Sequence, residues 1–580
     1  MNKEKLGWKL QRVRLLGRVI RSLGRLLKEE FRRGTLWRNI GSLIRTGDIA
    51  DDMSLPELLE ERARQIPGKP FLLYRNERYS YAQMNDRASQ VANYLMALGG
   101  GKGKGLGLFM RNSPRFLDLF FGAQRIGMYL VPINPALKGG SLGYILHHSD
   151  IEFLALNAEL IPNLQGAMDQ VSHVKGVIVD DLEEEAGDLE LPQDMHSLRQ
   201  AYEFSKENPG VDYNKEDISL ILYTSGTTGP PKGVVYRYAN TGVKKLSILA
   251  RILCRKEDVF YTCLPLIHGN ALFLTVTPAM AVGGTVALSR RFSASRFWDE
   301  ISQYGATTFN ALGSMIPILM KQPPRPEDRN HRVRMVLSAA CPAKMWEPFE
   351  KRFGVTIYEG YGAVDGGGGS IMNLGTAPKG SLGKPLTKGR GYRIVDDSGK
   401  DVPVGEPGEL IYYVGKGKEK VEYYKNPHAS NEKVKDGWLY TGDLVKQDEQ
   451  GFFYFVGRKT ESMRVGGENV SAYEVEHALL KHPAVEEVAV YAVPSELAED
   501  EIMASVKLVE GQRLREAELH AYLKDHLPKY ALPRYIRLVF ELPKTSTHRV
   551  TKKELEKLGI VEGTYDAKTG TYAGQPTQSR

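Results

Sequence analysis

The sequence predicts an α/β protein with a large N-terminal domain of helix-covered parallel sheets and a small α+β C-terminal domain. Three observations carry this. The chain has 580 residues, too many for one ordinary core. From about Asp51, short apolar runs alternate with helical patterns, the signature of βα units. After Gly457 the pattern becomes paired alternating strands around a helix. The expected organisation is an arm over 1–47, a large domain over 48–457, a small domain over 458–562 and a disordered tail over 563–580.

The arm stands out by charge. Met1 to Arg45 holds 13 Lys/Arg against 3 Asp/Glu, a balance of +10, so the +8 of the whole chain leaves a body of −2. Leu6, Leu10, Val13, Leu16, Ile20, Leu23 and Leu27 recur at helical steps, with arginines interleaved and Trp8 and Trp37 nearby. Such a helix suits an anionic membrane surface. Packing on the protein itself or on a partner, or service as a targeting peptide, are the readings that stay open beside it. No run is long enough to span a membrane, and nothing points to nucleic acid. Cys254, Cys263 and Cys341 show no metal or disulfide spacing, which suits a reducing compartment. A cytoplasmic protein is expected, attached peripherally, if at all, to the inner face of a membrane.

In the body, Ser54 with Glu57 reads as the cap of a helix through Gln65. Tyr79 to Leu98 reads as a strand end and a helix, Leu106 to Met110 as a strand, Pro114 to Ile126 as a helix and Tyr129 to Ile133 as a strand. Near the far end, Val488–Val493 and Ala504–Val509 read as paired strands, Leu514–Leu527 as a helix and Ile536–Phe540 as a strand.

The chemistry centres on Tyr223-Thr224-Ser225-Gly226-Thr227-Thr228-Gly229-Pro230-Pro231-Lys232-Gly233, which follows the apolar run Ile218–Leu222. Gly226 and Gly229 let the backbone bend and expose its N–H groups. Thr224, Ser225, Thr227 and Thr228 add hydroxyl donors and Lys232 a positive charge, a set that suits a polyphosphate. The Gly-Lys-Ser/Thr ending of the common P-loop is absent.

This stretch resembles the phosphate loop of the adenylate-forming superfamily, which contains acyl-CoA synthetases, adenylation domains and luciferases. The resemblance covers about Asp51 to Leu558, and several details are similar to the fatty-acid-transport-protein type of long- and very-long-chain acyl-CoA synthetases. It implies activation of a carboxylate by ATP and Mg²⁺ as an acyl-adenylate, followed by transfer to coenzyme A. It also implies roles for residues in matching motifs. His268, in Pro265-Leu266-Ile267-His268, would line the carboxylate pocket; Ala340-Cys341-Pro342 would border adenine. In Tyr361-Gly362-Ala363-Val364-Asp365, Tyr361 would stack on adenine and Asp365 would hold Mg²⁺. Val364 departs from the family's Thr, and Asp365 from its Glu. Gly366 to Gly369 would leave a roomy or mobile acyl tunnel, suited to a long or bulky acyl chain. Asp443 would take the ribose hydroxyls, Arg458 would contact the nucleotide, Thr460 would be the pivot of a mobile small domain, and Gly467 would flank the CoA thiol. Where relatives carry the adenylation lysine, this chain has Arg549. The expected activity is that of a long-chain fatty acid–CoA ligase. The alternatives are a CoA ligase for a sterol side-chain, bile or aryl acid, or a nucleotide- or acyl-binding protein with weak ligase activity.

Overall fold

The computed structural model describes residues 53–167, 173–182, 191–192, 194–224, 230–240, 243–313, 315–366, 371–386, 391–416, 421–458, 462–495, 499–543, 550 and 552–574. The basic arm therefore lies outside the described residues. So do Ser225 to Gly229, Gly367 to Gly369, Thr460 and Arg549, together with the side chain of Arg458.

Two sheets form the frame of the large domain. The first has nine strands, ordered Lys384–Pro385, Ile371–Asn373, Thr356–Tyr361, Met335–Ala339, Thr308–Leu312, Val259–Thr262, Thr285–Leu288, Pro70–Tyr74 and Glu77–Ser80. Its six central strands run parallel, and antiparallel strands close both edges. The second has seven strands, ordered Met195–Ser197, Gly176–Asp180, Ile151–Asn157, Gly105–Phe109, Tyr129–Pro132, Ile218–Thr224 and Lys232–Arg237, with only the last antiparallel. Burial on both faces explains the near-continuous apolar runs: all five residues of Gly105–Phe109 and of Gly176–Asp180 are buried.

Helices fill the space between the layers. Leu55–Gln65 starts with a capping box, in which the Ser54 N–H and hydroxyl both donate to Glu57, at 2.6 and 2.9 Å. Tyr81–Ala97 begins the same way with Ser80 and Gln83. Pro114–Arg125 is buried all round, its polar side satisfied by pairing: Arg115 with Glu77, Asp118 with Arg87 and Arg125 with Ser89. These helices and both sheets share one large apolar core.

A third unit escaped the βα pattern. Tyr392–Val395, Gly408–Tyr413, Val434–Lys435, Trp438–Gln447 and Phe453–Arg458 form an antiparallel sheet. Trp438–Gln447 alternates half-buried and buried positions, the mark of a sheet with one covered face.

The small domain is α+β. Val485–Pro494, Asp500–Leu508 and Tyr535–Leu538 pair in one sheet, with the helices Ala472–Leu480 and Glu516–Lys524 on one face. Ser462–Val465 and Glu468–Ser471 form a separate hairpin. The disordered tail expected from Gly563 is corrected for its first twelve residues. Tyr565–Asp566 and Thr571–Tyr572 extend the sheet as a hairpin against Tyr535–Leu538. Arg534 holds it by ion pairs to Asp566, at 3.1 Å, and Glu501, at 3.0 Å. Paired backbone and a buried-side ion pair offset the low apolar content that suggested disorder.

Candidate active site

The phosphate-loop motif closes a hairpin. Ile218–Thr224 pairs antiparallel with Lys232–Arg237, and Thr224 stands directly opposite Lys232. The motif thus runs from one strand to its antiparallel neighbour, where common P-loops run from a strand into a helix. The second strand docks on the chain at 421–424: the Tyr424 N–H donates to Gly233 O at 2.7 Å and the Val235 N–H to Glu422 O at 2.9 Å. This brings the Lys232 ammonium over the Tyr423 ring, 5.5 Å from its centroid.

Tyr423 leads to Asp365. Its hydroxyl donates to Asp365 Oδ2 at 2.6 Å, and Lys433 Nζ pairs with the same oxygen at 2.9 Å. Lys433 also donates to Thr441 O at 3.2 Å. Sequence reasoning missed both residues, since neither lies in a motif. One ammonium therefore ties the expected metal ligand to the turn that presents Asp443.

That turn is built tightly. Gly442 has φ +78, and its N–H donates to Glu409 Oε1 at 3.0 Å. Thr441 Oγ1 donates to Leu410 O at 2.7 Å and accepts from the Asp443 N–H at 3.1 Å. Asp443 is buried, and it accepts the Tyr361 hydroxyl at 2.6 Å. The adenine-side aromatic and the ribose-side carboxylate of the sequence reading thus meet directly.

The Ala340-Cys341-Pro342 stretch follows the strand Met335–Ala339 and caps the helix Ala343–Phe353. Ala340 has φ +68, a left-handed conformation that costs a non-glycine residue energy and clusters at functional sites. Glu359, two residues before Tyr361, holds it there: its carboxylate accepts the N–H groups of Ala340 and Cys341, the latter at 3.1 Å. Burial pushes the Glu359 carboxyl up to about 7 in spite of these two donors. Gly313 faces the same carbonyl, and any Cβ there would collide with Ala340 O.

His268 ends the segment that begins at Leu264. Asn112 positions this segment, donating to Leu264 O at 2.9 Å and accepting the Leu266 N–H at 2.7 Å. The His268 imidazole reaches across to the small domain, pairing with Glu468 at 3.0 Å. Burial works to lower the His268 pKa, but the Glu468 carboxylate outweighs it, and the net direction is up. Following His268, Asn270 joins a buried polar cluster in which Asn310 donates to Asn270 Oδ1 at 2.9 Å and to Thr275 Oγ1 at 3.0 Å.

Gly467 lies next to Glu468. Gly466 and Gly467, at φ +59 and +85, make the two-residue turn of the hairpin, which only residues tolerant of positive φ can adopt twice running. A Cβ at Gly467 would sit 2.5 Å from Leu312 Cδ1, so the turn rests on the end of a large-domain strand. The segment that leads to Arg549 is anchored elsewhere. Leu542 and Val550 pack with Ala489, Tyr491 and Val493, whereas the hairpin packs with Val490, whose side chain points to the other face.

Gly366 is closely packed, since a Cβ there would lie 2.8 Å from both Ala363 O and the Tyr412 hydroxyl, and the rest of the expected tunnel glycines, Gly367 to Gly369, lie outside the described residues. Lys552, three residues after Arg549, is paired with Glu476 at 2.7 Å.

The candidate nucleotide residues thus lie in a large domain that the small domain touches at His268 and Leu312, and comparison with known proteins agrees. Residues 59–416 match the model of the AMP-binding enzyme family, and residues 474–549 match that of the AMP-binding enzyme C-terminal domain. The chain belongs to the AMP-binding enzyme family. The membership puts it in the adenylate-forming superfamily, as the motifs implied. Among its relatives is the crotonobetaine/carnitine–CoA ligase of Salmonella paratyphi B, 31% identical over 530 residues, which span 88% of this chain and 100% of that one. The structure of the anthranilate CoA ligase AuaEII in complex with anthranoyl-AMP is 26% identical, with a TM-score of 0.64 over 89% of this chain and 98% of that one. A fatty acyl CoA synthetase of Mycobacterium tuberculosis is 25% identical, with a TM-score of 0.60 over 87% and 98%. The relatives span aryl, small charged and fatty acids, so family membership does not carry the long-chain preference expected from the glycine run.

Proposed function

We propose that the protein is an AMP-forming acid–CoA ligase whose acid is compact, of the aryl or short polar kind, rather than a long-chain fatty acid. The observation behind the chemistry is the chain of contacts that links Lys232 through Tyr423 to Asp365, and Asp365 through Lys433 and Thr441 to Asp443 and Tyr361. The observation behind the acid is the polar Asn270–Asn310–Thr275 cluster that follows His268, where an alkyl chain would find unfavourable company.

The carboxylate oxygen attacks the α-phosphorus of ATP, the bond to the β-phosphate oxygen breaks, and pyrophosphate leaves. The hydroxyls and N–H groups of Thr224 to Gly229 would hold the triphosphate, with Lys232 offsetting its charge. Asp443 takes the ribose, exchanging the Tyr361 hydroxyl for those of the sugar. Among the described residues, no group of three or more His, Cys, Asp and Glu could cage a metal. A Mg²⁺ ion fits here as one hard carboxylate, Asp365, plus phosphate oxygens and water, which is the usual way Mg²⁺ is held beside nucleotides. It would supply charge neutralisation.

In the second half-reaction the CoA sulfur attacks the acyl carbon beside Gly467, and AMP departs. The Gly467 turn faces the site, while the residues flanking the Arg549 segment pack on the opposite sheet face. Bringing Arg549 to the α-phosphate therefore needs a turn of the small domain about Thr460. No helix among the described residues is long and apolar enough to cross a membrane. We place the enzyme in the cytoplasm, with the arm Met1–Arg45 as its contact with anionic lipid.

Pyrophosphate release over a panel of aryl, betaine-type, short and long-chain acids, with and without CoA, tests the reading. Turnover confined to long-chain acids contradicts the compact-acid assignment, and no turnover with any acid contradicts the ligase.

A further inference from the structure

An opening lies away from the nucleotide residues. It is a cleft of about 530 Å³ between the two large sheets, at the carboxyl ends of Pro70–Tyr74, Thr285–Leu288, Gly105–Phe109 and Ile151–Asn157. Crevices at the carboxyl ends of parallel strands are where open α/β sheets bind ligands. Five arginines line it: Arg75, Arg111, Arg290, Arg291 and Arg296. Among the described lining residues the carboxylates are Glu159 and Glu300, which gives that lining a formal charge of +3.

The two carboxylates order the cleft without neutralising it. Glu159 bridges Arg111 and Arg290, the latter at 3.0 Å. Glu300 accepts the Tyr261 hydroxyl at 2.8 Å and pairs loosely with Arg296 at 3.6 Å. Arg75 sits in the two-residue turn that joins Pro70–Tyr74 to Glu77–Ser80, which accounts for its φ of +50, and its N–H donates to the Tyr304 hydroxyl at 2.8 Å.

We propose that this cleft is an anion site that takes the phosphate groups of a phosphorylated small molecule. Planar guanidinium forks match phosphate oxygens in pairs, and several forks on one concave surface suit a phosphate ester better than a lone carboxylate. The site is coupled to the catalytic side by Asn112. This residue follows Arg111, is buried, and donates to Ser289 O in the cleft wall as well as to Leu264 O on the way to His268, both at 2.9 Å. The strands that end at Leu288 and Leu312 are separated by one strand, so the cleft lies roughly 10 Å to the side of the Gly467 contact. Two sources share the chemistry: the phosphorylated nucleotide end of CoA, and a free phosphate compound. With CoA as the source the inference rests on the reaction assigned above; with a free phosphate compound it stands apart from it.

The test is calorimetric titration of the full chain, saturated with AMP, at low salt. The probes are CoA, 3′-dephospho-CoA, adenosine 3′,5′-bisphosphate and pyrophosphate. Arg290→Gln, and separately the exposed pair Arg291→Glu with Arg296→Glu, each weaken the binding by about tenfold or more. Melting curves confirm folding, and the exposed pair decides the matter if Arg290→Gln does not fold. Binding of CoA and the bisphosphate but not dephospho-CoA supports the site with CoA as its source. Equal binding of pyrophosphate supports it with a free phosphate compound. Absence of binding by every probe, or affinities unchanged in both variants, overturns the proposal.

Discussion

The Tyr361 hydroxyl donates to the buried Asp443 carboxylate at 2.6 Å, so the ring expected against adenine and the acid expected on ribose form one unit before any nucleotide arrives. Removing the phenol leaves Asp443 short of a donor in a dry place. Tyr361→Phe is expected to destabilise the free protein by roughly 1–3 kcal/mol, the usual penalty for such a loss. Ribose hydroxyls restore the donor, so AMP recovers part of the lost melting temperature. Asp443→Ala raises the KM for ATP tenfold or more. Calorimetric melting with and without AMP, alongside ATP kinetics, checks both.

Lys433 holds Asp365 and the Thr441 carbonyl together. Lys433→Met takes the ammonium away from the Asp365 carboxylate and loosens the turn before Asp443. The expected result is a rise of several-fold or more in the KM for ATP with weaker AMP binding, and partial rescue by Lys433→Arg. Unchanged AMP affinity in Lys433→Met contradicts this role.

Glu359 makes stability depend on pH. Its carboxyl is raised by burial from 4.5 to about 7 in the folded protein. The folded state therefore favours the protonated form, and this contribution is complete below the unfolded value and lost as pH rises through about 7. Melting temperatures across pH 4.5 to 8 should fall more steeply for the wild type than for Glu359→Gln. Parallel curves contradict the assignment.

The His268–Glu468 pair spans the two domains, and the carboxylate raises the His268 pKa. A raised histidine contributes fully below its unfolded value and loses that contribution as pH rises through its folded value. Contact between the domains should loosen with rising pH above about 6.5, seen as a growing radius of gyration by small-angle scattering. Glu468→Gln should flatten the response.

Gly467→Ala meets both a positive φ and the Leu312 side chain. We expect loss of thioester formation with acid-dependent pyrophosphate exchange largely kept. Equal loss of both half-reactions contradicts the placement of Gly467 on the thiol path.

Local sequence made the βα elements legible because burial on both faces writes itself as unbroken apolar strands, as in Gly105–Phe109. The same logic failed for the antiparallel sheet around Asp443, whose strands are half-buried and irregularly spaced. The tail hairpin was missed because an ion pair from Arg534 and backbone pairing hold it, and neither shows as hydrophobic pattern. At the candidate site, motif order singled out His268, Tyr361, Asp365 and Asp443, of which the structure brings Tyr361 and Asp443 into contact. Glu359 carried a signal in its place two residues before Tyr361. Lys433 and Tyr423 carried none, since only folding brings them to Asp365.

The most direct test of the central claim is acid-dependent exchange of labelled pyrophosphate into ATP, compared in the wild type and in Asp443→Ala. The account predicts exchange that needs a carboxylic acid, does not need CoA, and falls at least tenfold in the variant at limiting ATP. Exchange independent of acid, or equal in both proteins, would contradict it.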